Sequence, residues 1–447
     1  MAKRLVILGA GESGCGTAVL GLAKGYDTFV SDYGVIKPSY KDELNNIGVE
    51  WESEKHTESK ILNADMIVKS PGIPDKAPII KKVKEAGISI VSEIEFAAKY
   101  TNAKLVGITG TNGKTTTTML THHILKNGGI KVGLGGNVGK SFARQVATEN
   151  HECYVLELSS FQLDGMYETR IHQGVLTNIT PDHLDRYDYK VENYIQSKFR
   201  ITQNQTDEDQ FIFCDDDPLT KDNLNFNKGN GHMLAFSINH EVANGAFLRG
   251  KEIIVRLTNL NKEFIMPVNQ LTISGKHNIY NSMAAAIVSN SFEIRKESIR
   301  QSFSDFTNVE HRMEWVARIK GVDFINDSKA TNVNSAWYAL ESMETPVVWI
   351  AGGTDKGNDY SSLKKLVKDK VNVIVCMGLD NSKIHQAFGA DVDIIINTTS
   401  AEDAVHAAYK FSKKGDTVLL SPACASFDLF ENFEDRGNQF KMQVRAL

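Results

Sequence analysis

The sequence predicts an α/β protein of three domains with mainly parallel sheets. Short apolar runs alternate with helical patterns through most of the 447 residues, which is typical of doubly wound sheets. Many of these runs end in glycine-rich or polar turns, where ligands bind in such folds. The length suits about three domains. We place them at residues 1–96, 97–307 and 308–447 and expect the first and third to be Rossmann-like.

Composition and charge exclude several classes of protein. Hydrophobic residues make up 41% and charged residues 23% of the chain, as in soluble globular proteins. The net charge of −5 gives no general attraction to nucleic acid or to an anionic membrane, and no apolar run is long enough to span a bilayer. The cysteines form no CxxC pair and are predicted to be reduced core thiols of a cytoplasmic protein. They are Cys15, Cys153, Cys214, Cys376 and Cys424.

The central segment contains a glycine-rich turn between a predicted strand at Leu105–Ile108 and a helical pattern from Thr115 to about Lys126. The amides of such a turn and the start of the helix bind anions, Lys114 adds a positive charge, and the Thr115 hydroxyl can hold Mg²⁺. An ordinary glycine turn is the alternative, since the strict P-loop pattern fails at Ile108. We interpret the segment as the phosphate loop of a P-loop ATPase domain. Its predicted contact residues are Gly110, Thr111, Asn112, Gly113, Lys114, Thr115 and Thr116.

Polar residues follow two further strands of the central segment. Glu157 ends an apolar run at 154–156, where a carboxylate beside a phosphate loop would hold Mg²⁺ directly or through water; a solvated strand-end acid is the alternative. His183 comes shortly after the strand at 175–178, and we favour a ligand over a structural histidine there. Between the phosphate loop and the apolar run at 154–156, Asn137 follows a glycine pair.

Lys198 lies on the apolar face of a predicted helix, at 191–202. One interpretation is that the side chain extends along that face and reaches water with its ammonium group. Otherwise the charge must be paired, lost or chemically changed, because burying an unpaired ammonium group is costly.

The first segment carries Gly9-x-Gly11-x-x-Gly14 with Asp32 downstream, which resembles a dinucleotide fingerprint. The pattern alone is weak, and we favour another nucleotide diphosphate over NAD because the phosphate loop implies a different chemistry. Residues 203–270 are predicted to form edge strands and polar loops with a hairpin near 249–251 and little chemistry. Asn278 and Asn281 share a helix face and could read a base edge or cap the helix.

The third segment repeats the α/β pattern, with strands ending in polar loops at 326–332, 352–356 and 421–426. These loops are expected to form a second binding edge that faces the nucleotide site across a cleft.

Together these motifs resemble the Mur ligases, the ATP-dependent amide-forming enzymes of bacterial peptidoglycan synthesis. The resemblance extends over all three segments. Folylpolyglutamate synthases share the ATP core, but three features are similar to the branch of the family that adds D-glutamate: a short Rossmann-like first domain with Ser70-Pro-Gly72, and the sequences at 327–332 and 420–426. The motifs shared with the whole family are residues 110–115, Glu157-Leu-Ser-Ser, His183, Lys198, Gly-Lys-His-Asn at 275–278 and His311-Arg312.

The resemblance implies an activity. The γ-phosphoryl group of ATP would be transferred to the carboxylate of UDP-N-acetylmuramoyl-L-alanine to make an acyl phosphate, which the amine of D-glutamate then attacks. Charge develops on phosphoryl and carbonyl oxygens, so catalysis would depend mainly on positioning and electrostatic stabilisation. The resemblance also implies two Mg²⁺ sites and a carbamylated Lys198, because an ammonium group repels Mg²⁺ and a carbamate offers the oxygen ligands it prefers.

Site residues are carried over from the same motifs. The implied catalytic residues are Lys114, Asn137, Glu157, His183 and Lys198, and the metal ligands Thr115, Glu157, His183 and Lys198. The nucleotide would contact the phosphate loop and Asn278, Asn281, Arg312 and Asp327. The UDP end would contact Ser13, Gly14, Asp32, Tyr33, Ser70, Pro71 and Gly72. D-Glutamate would contact Lys329, Thr331, Lys356, Ser426 and Phe433.

Other functions remain as alternatives. Another Mur ligase or a folylpolyglutamate synthase-type enzyme would use the same ATP core, a non-catalytic nucleotide-binding module would use it without turnover, and an NAD-dependent oxidoreductase would leave Lys114, Glu157 and Asp327 without a function. We expect a monomer in which the second and third domains close on each other about a hinge at 308–310.

Overall fold

The computed structural model describes residues 2–227, 229–258, 262–273, 275–307 and 310–447. They divide into two compact units, Met1–Leu271 with Ile279–Phe306, and Thr272–Asn278 with Thr307–Leu447. Each of the three predicted segments has its own sheet, and the sheets are mainly parallel as expected. The boundaries at 96 and 307 stay a prediction, and Asn308 and Val309 of the expected hinge lie outside the described residues.

A five-stranded parallel sheet forms the first segment, in the order β3-β2-β1-β4-β5. Strand β1 pairs with both β2 and β4. The connections therefore leave in opposite directions at the carboxyl end of β1, which is where ligands bind in open sheets. The strands are β1 (Arg4–Leu8), β2 (Asp27–Ser31), β3 (Glu50–Glu52), β4 (Met66–Lys69) and β5 (Ser89–Val91). The helices are α1 (Glu12–Ala23), α2 (Pro38–Asn46), α3 (Glu58–Ile61), α4 (Pro78–Glu85) and α5 (Glu93–Ala98).

The central sheet has the order β14-β13-β12-β11-β10-β9-β6-β8-β7. Its strands are β6 (Lys104–Thr109), β7 (Val132–Gly136), β8 (Cys153–Glu157), β9 (Gln173–Leu176), β10 (Gln210–Cys214), β11 (His232–Ser237), β12 (Gly245–Arg249), β13 (Glu252–Leu257) and β14 (Lys262–Pro267). The helices are α6 (Lys114–Asn127), α7 (Phe142–Thr148), α8 (Ser160–Leu163), α9 (Val191–Phe199), α10 (Pro218–Lys221), α11 (Lys276–Ser291) and α12 (Lys296–Asp305). Strand β6 lies between β8 and β9, so the predicted phosphate loop emerges at a switch point.

The strands after residue 203 are only partly the edge strands that the sequence predicts. β10 is buried along its whole length and pairs in parallel with β9 and β11, as its continuous apolar run permits. The expectation of edge strands is therefore wrong for β10. The hairpin near residues 249–251 is confirmed, because β12 and β13 pair antiparallel across it.

The third sheet has the order β15-β16-β20-β17-β18-β19 and is parallel except for the edge pair β15–β16. Its strands are β15 (Glu314–Ile319), β16 (Val322–Asn326), β17 (Val347–Ala351), β18 (Val371–Met377), β19 (Ile394–Thr398) and β20 (Thr417–Leu420). Its helices are α13 (Val333–Glu341), α14 (Lys364–Lys370), α15 (Ser382–Phe388), α16 (Ala401–Phe411) and α17 (Phe433–Ala446). β20 pairs with β16 and β17, so the loops after these three strands lie side by side.

Helices α1 and α7 pack closely and join the first two segments into one unit. A Cβ at Gly16 of α1 would overlap the Ser141 hydroxyl before α7, so the close approach requires glycine there. Arg144 of α7 forms ion pairs with Glu12 and Glu43. Buried Glu95 adds a second connection, since it accepts three backbone N–H bonds from residues 167–169. Charged and backbone groups thus fix the two sheets to each other.

Two predictions from composition can be compared with the structure. All five cysteines are buried and carry thiols that are not in disulfides, as predicted. Among the described residues, the longest apolar helices are too short or too polar to cross a bilayer.

Candidate active site

The turn between β6 and α6 has the shape of a phosphate cradle. Gly110 and Gly113 have φ angles of +146° and +82°, and a residue with a side chain would be strained at such angles. A Cβ at Gly110 would overlap the Thr177 hydroxyl, and one at Gly113 would overlap the Asn281 amide. The chain therefore needs glycine at both positions, and helix α6 begins at Lys114 directly after the turn.

The residues directly after strand β9 hold this loop through hydrogen bonds. The backbone N–H of Thr111 donates to the carbonyl oxygen of Asn178 at 2.9 Å, and the N–H of Asn112 donates to the Asn178 side chain at 3.0 Å. The Thr177 hydroxyl and the Asn178 amide both donate to the Asn112 carbonyl. The sequence pattern at 175–178 predicts only a strand. Its terminal Thr-Asn pair beside a glycine loop was the available signal.

The two predicted catalytic lysines converge on one atom. Lys114 Nζ donates to the carbonyl oxygen of Gly110 at 2.8 Å and to that of Thr111 at 2.8 Å, and Lys198 Nζ donates to the same Gly110 oxygen at 2.7 Å. Lys198 is 1% exposed, so the interpretation in which its ammonium reaches water is wrong. Burial, with the neighbouring positive charge of Lys114, holds the pKa of Lys198 well below its usual value.

Tyr194 completes the environment of Lys198. The lysine Nζ lies 4.5 Å from the centre of the Tyr194 ring, and the Tyr194 hydroxyl is 3.1 Å from the Thr111 hydroxyl. Burial raises the pKa of this phenol above its usual range. Both residues belong to helix α9, and their i, i+4 spacing places them on one face. Tyr194 is a site residue that the sequence reading assigned to the apolar face alone.

Glu157 and Asn137 contact each other at the ends of two neighbouring strands. Asn137 Nδ2 donates to Glu157 Oε1 at 2.9 Å, and the Asn137 N–H donates to the Glu157 carbonyl at 2.9 Å. Thr115 is buried in the first turn of α6. A carboxylate and a hydroxyl are hard oxygen donors of the type Mg²⁺ prefers, so these residues beside the glycine turn fit a magnesium nucleotide.

His183 lies in a loop before a 3-10 turn, with a left-handed φ of +52°. Its ring packs edge-on against Phe161 at 5.3 Å, and Nε2 is 3.7 Å from Asp182 Oδ2. The Asp182 carboxylate also acts electrostatically on Lys198. Asp182 therefore belongs to the charged environment of the buried lysine, although the sequence reading passed over it in favour of His183.

The predicted UDP-binding turns meet at the carboxyl edge of the first sheet. Gly9 has a φ of +99°, and a Cβ there would overlap Ser70; a Cβ at Gly14 would overlap the Gly9 carbonyl. Gly11 is different, because a Cβ there would meet no heavy atom within 4 Å. Gly9 and Gly14 thus serve close packing, whereas the space beside Gly11 is open to a ligand.

Other residues of the predicted UDP site are placed as follows. Asp32 accepts the N–H groups of Ala10 at 2.7 Å and Gly34 at 2.8 Å, so its carboxylate shapes the glycine turn. The side chain of Tyr33 is exposed, and its ring lies 5.6 Å from that of His56. Ser13 lies beside the buried carboxylate of Glu93, whose pKa burial raises although Ser141 and Ser13 act in the opposite direction. Pro71 and Gly72 belong to the turn after β4, and the guanidinium of Arg186 reaches the Pro71 carbonyl at 3.4 Å.

In the third segment, Asp327 follows β16 and is buried against β20. Ser421 Oγ donates to its Oδ2 at 2.8 Å, and the Met313 N–H donates to its Oδ1 at 3.2 Å. Burial raises the pKa of Asp327 to about 7, although the Ser421 hydrogen bond and the Arg312 charge act in the opposite direction. Burial and the Arg312 charge lower the pKa of His277 to about 4. Arg312 therefore influences the pKa of two groups in the same compact unit.

The predicted D-glutamate residues occupy neighbouring loops. Lys329 Nζ lies 4.9 Å from the centre of the Phe433 ring, and the Thr331 N–H donates to the Lys329 carbonyl at 2.9 Å. Ser426 is buried after β20. Lys356 is exposed in the loop after β17, and that loop contacts the β20 loop through a bridge between Thr354 and Ala425.

Arg436 ties two of these loops together and was missed by the sequence reading. It is 1% exposed and donates to the Ser328 carbonyl at 2.8 Å, the Ser328 hydroxyl at 3.0 Å and the Cys424 carbonyl at 3.2 Å. Burial lowers its pKa to about 10. Nothing in the sequence around Arg436 marks it, because its partners are distant in the chain.

The two asparagines of α11 that are predicted to contact the nucleotide differ in their surroundings. Asn281 is buried, accepts a hydrogen bond from Thr117 Oγ1 at 3.2 Å and fills the space beside Gly113. Asn278 is buried in the first turn of the helix, where its N–H donates to the Gly275 carbonyl at 3.0 Å.

Parallel sheets, a glycine cradle with two converging lysines, and a strand-end carboxylate define a P-loop nucleotide-binding protein, with one further α/β segment before it and one after it in the sequence. Family models identify it more closely. The Mur ligase MurD-like N-terminal domain matches residues 3–92, the Mur ligase middle domain residues 108–289, and the Mur ligase glutamate ligase domain residues 311–424. The chain belongs to the Mur ligase family.

Individual relatives agree with this assignment. The chain is 58% identical to a UDP-N-acetylmuramoylalanine--D-glutamate ligase of Christiangramia forsetii, with 100% of each chain covered. It is 56% identical to the Bacteroides fragilis protein of the same name, again over 100% of each. A MurF ligase from Thermotoga maritima, solved in complex with ADP, is 16% identical with a TM-score of 0.61, covering 94% of this chain and 95% of that one. The last likeness concerns the fold alone.

Proposed function

We propose that this protein is the ATP-dependent ligase that joins D-glutamate to UDP-N-acetylmuramoyl-L-alanine through an acyl phosphate, in peptidoglycan precursor synthesis. The observation that carries the proposal is the full-length match, at 58% identity, to a relative with that name. The proposed setting is the cytoplasm, and the proposed acting form is a monomer.

The phosphate loop would bind the triphosphate. Backbone N–H groups at the start of α6 point toward an anion there, and Lys114 would exchange its two loop carbonyls for phosphate oxygens. Thr115 and Glu157 would hold Mg²⁺, which when bound neutralises charge on the phosphates. Asn137, which donates to Glu157, would orient that carboxylate.

Lys198 is proposed to act as a carbamate, with His183 as a companion ligand at a second Mg²⁺. The amine is buried and its pKa is lowered, so the neutral form that reacts with CO₂ is populated. In that reaction the nitrogen lone pair attacks the CO₂ carbon and the N–H proton is lost to solvent, which leaves a carbamate. A long side chain ending in two anionic oxygens would replace the ammonium that now donates to Gly110.

The remaining substrates are proposed to occupy the outer segments. The open space beside Gly11 and the turn at Ser70–Gly72 would take the UDP group, close to Asp32, Tyr33, Ser13 and Gly14. D-Glutamate has two carboxylates, which require cations and hydroxyl donors, and Lys329, Thr331, Lys356 and Ser426 supply these around Phe433. Arg312, Asp327, Asn278 and Asn281 are proposed for the nucleotide.

The test is ADP release measured with ATP and the UDP-linked substrate, with and without each of a panel of amino acids. The proposed enzyme releases ADP in proportion to amide product, and D-glutamate is its preferred amino acid. A preference for another amino acid, or ADP release only when a folate replaces the UDP-linked substrate, would indicate a different ligase. NAD reduction without ADP would indicate an oxidoreductase, and ATP binding without turnover a binding module.

A further inference from the structure

Three aspartates, at 215–217, directly follow strand β10, and two of them connect it to the elements around the phosphate loop. Asp217 Oδ2 accepts the Ile179 N–H at 3.0 Å and the hydroxyl of Thr220 at 2.6 Å. Asp216 Oδ2 accepts the Tyr280 hydroxyl at 2.8 Å and the Ile238 N–H at 2.7 Å. The two adjacent carboxylates therefore hold two different segments, the end of β9 and helix α11.

The Asp217 connection reaches the loop through Asn178. Ile179 directly follows Asn178, whose carbonyl and side chain accept the N–H groups of Thr111 and Asn112. Fixing the Ile179 N–H therefore fixes the residue that braces the glycine turn.

The Asp216 connection reaches the loop through Asn281. Tyr280 precedes Asn281 on α11, and Asn281 accepts a hydrogen bond from Thr117 of α6 at 3.2 Å. Asn281 also occupies the space that a Cβ on Gly113 would need. A shift of α11 would therefore move a side chain that packs on the glycine immediately before Lys114.

The charges around Asp216 make it a strong acceptor. Its side chain is 5% exposed, and burial alone would raise its pKa. Hydrogen bonds from the Ser237 hydroxyl, the Ile238 N–H and Tyr280 outweigh burial and lower the pKa instead. His240 Nδ1 lies 3.5 Å from the same carboxylate, while its Nε2 is 2.7 Å from Asp215. Hydrogen bonds to an ionised acceptor are worth about twice those between neutral groups.

We propose that Tyr280 and Asp216 are positioning residues for nucleoside triphosphate binding, which act through helix α11 and Asn281 on the phosphate loop. The inference rests on the proposed function, because it needs ATP as the ligand of that loop. Tyr280 would keep Asn281 packed on Gly113, so that the loop amides stay in the arrangement that receives the phosphates.

Tyr280→Phe tests the proposal, with isothermal titration of ATP in the absence of the other substrates. The variant keeps the ring that lies 6.2 Å from Phe236 and loses one hydroxyl. We expect the Kd for ATP to rise about five- to twentyfold, while the KM for D-glutamate stays unchanged. Tyr100→Phe is the matched control, since it loses a phenol hydrogen bond of the same length, 2.8 Å to Tyr26, away from the loop. Its Kd for ATP should equal that of the wild type.

Asp216→Asn and the double variant complete a cycle. If the two residues act as one unit, the double variant binds ATP no more weakly than Asp216→Asn alone. Additive losses, or an unchanged Kd in Tyr280→Phe, would overturn the inference. Failure of the wild type to bind ATP would instead overturn the proposed function. Tyr280→Phe decides the question even when Asp216→Asn lowers the Tm, because the phenylalanine variant leaves the carboxylate network of Ser237 and Ile238 in place.

Discussion

Lys114 and Lys198 donate to the same oxygen, the carbonyl of Gly110, at 2.8 and 2.7 Å. Two ammonium groups this close repel each other, and in the buried position the lysine with the lower pKa loses its proton first. Lys198 is the fully buried member of this pair, and its pKa is held well below the usual value; Lys114 is the cation that we propose for the phosphates.

Lys198→Arg should be nearly inactive, because a guanidinium stays charged and cannot form a carbamate. Wild-type activity should fall in CO₂-free buffer and return with bicarbonate. It should also fall as the pH is lowered, since protonation of the amine competes with carbamate formation. Lys190 is an exposed lysine just before the same helix. The control variant Lys190→Arg should therefore keep full activity. NMR with isotope-labelled bicarbonate would detect the carbamate directly, and an active Lys198→Arg enzyme would contradict the assignment.

Gly11→Ala should affect substrate binding, whereas Gly14→Ala should affect stability. A Cβ at Gly11 meets no atom of the protein, whereas one at Gly14 would overlap the Gly9 carbonyl. We therefore expect Gly11→Ala to keep the Tm and to raise the KM for the UDP-linked substrate about tenfold or more, because the methyl group fills ligand space. Gly14→Ala should lower the Tm. A Gly11→Ala enzyme with unchanged KM would show that the UDP group does not approach this turn.

Asp327→Asn should gain stability relative to the wild type as the pH rises. The carboxyl has a pKa of about 7 in the folded protein against an ordinary value of 3.8. Below pH 3.8 both states hold the proton; between 3.8 and 7 the unfolded state releases it while the folded state retains it, so stability falls with rising pH. The loss amounts to about 4 kcal/mol above pH 7, and asparagine does not titrate.

Melting temperatures of wild type and Asp327→Asn between about pH 5 and pH 8 measure this difference. Asp323→Asn serves as the control, because hydrogen bonding to Arg318 lowers the pKa of Asp323 and its replacement should give no gain at higher pH. A pH-independent difference for Asp327→Asn would mean that the carboxylate is not destabilised by burial.

Lys356→Ala should raise the KM for D-glutamate far more than the KM for ATP, because the exposed ammonium is proposed to pair with a substrate carboxylate. Lys383→Ala is the matched control. The Lys383 ammonium is already paired at 2.5 Å with Asp355, the residue before Lys356. Its loss should therefore leave D-glutamate binding nearly unchanged. Equal KM values for D-glutamate in wild type and Lys356→Ala would remove Lys356 from the site.

Local sequence was sufficient to predict the phosphate loop. The strand, the glycine turn and the helix at Lys114–Asn127 lie within about one βα unit, where glycine, threonine and lysine positions determine the backbone directly. Helical spacing places Lys198 on the apolar face of its helix but leaves exposure or burial of the ammonium as alternatives, and the structure decides for burial.

Contacts between distant parts of the chain could not be predicted in this way. Tyr280 and Asp216 are 64 residues apart, and Arg436 and Ser328 are 108 apart; no periodicity connects them. β10 was misread as an edge strand because its burial depends on β9 and β11 pairing on both sides, which short apolar runs do not reveal.

The α1–α7 packing and the Glu95 connection fix the distance between the first two segments. The turn at Gly11 and the loop at Gly110 belong to one compact unit, and Arg144 with its two glutamate partners resists any sliding between them. We expect that a substrate with a different distance between its uridine and its carboxylate would not fit, because the two segments do not slide to match it. For the proposed substrate, the length between the uridine and the reacting carboxylate would therefore be selected before any chemistry begins.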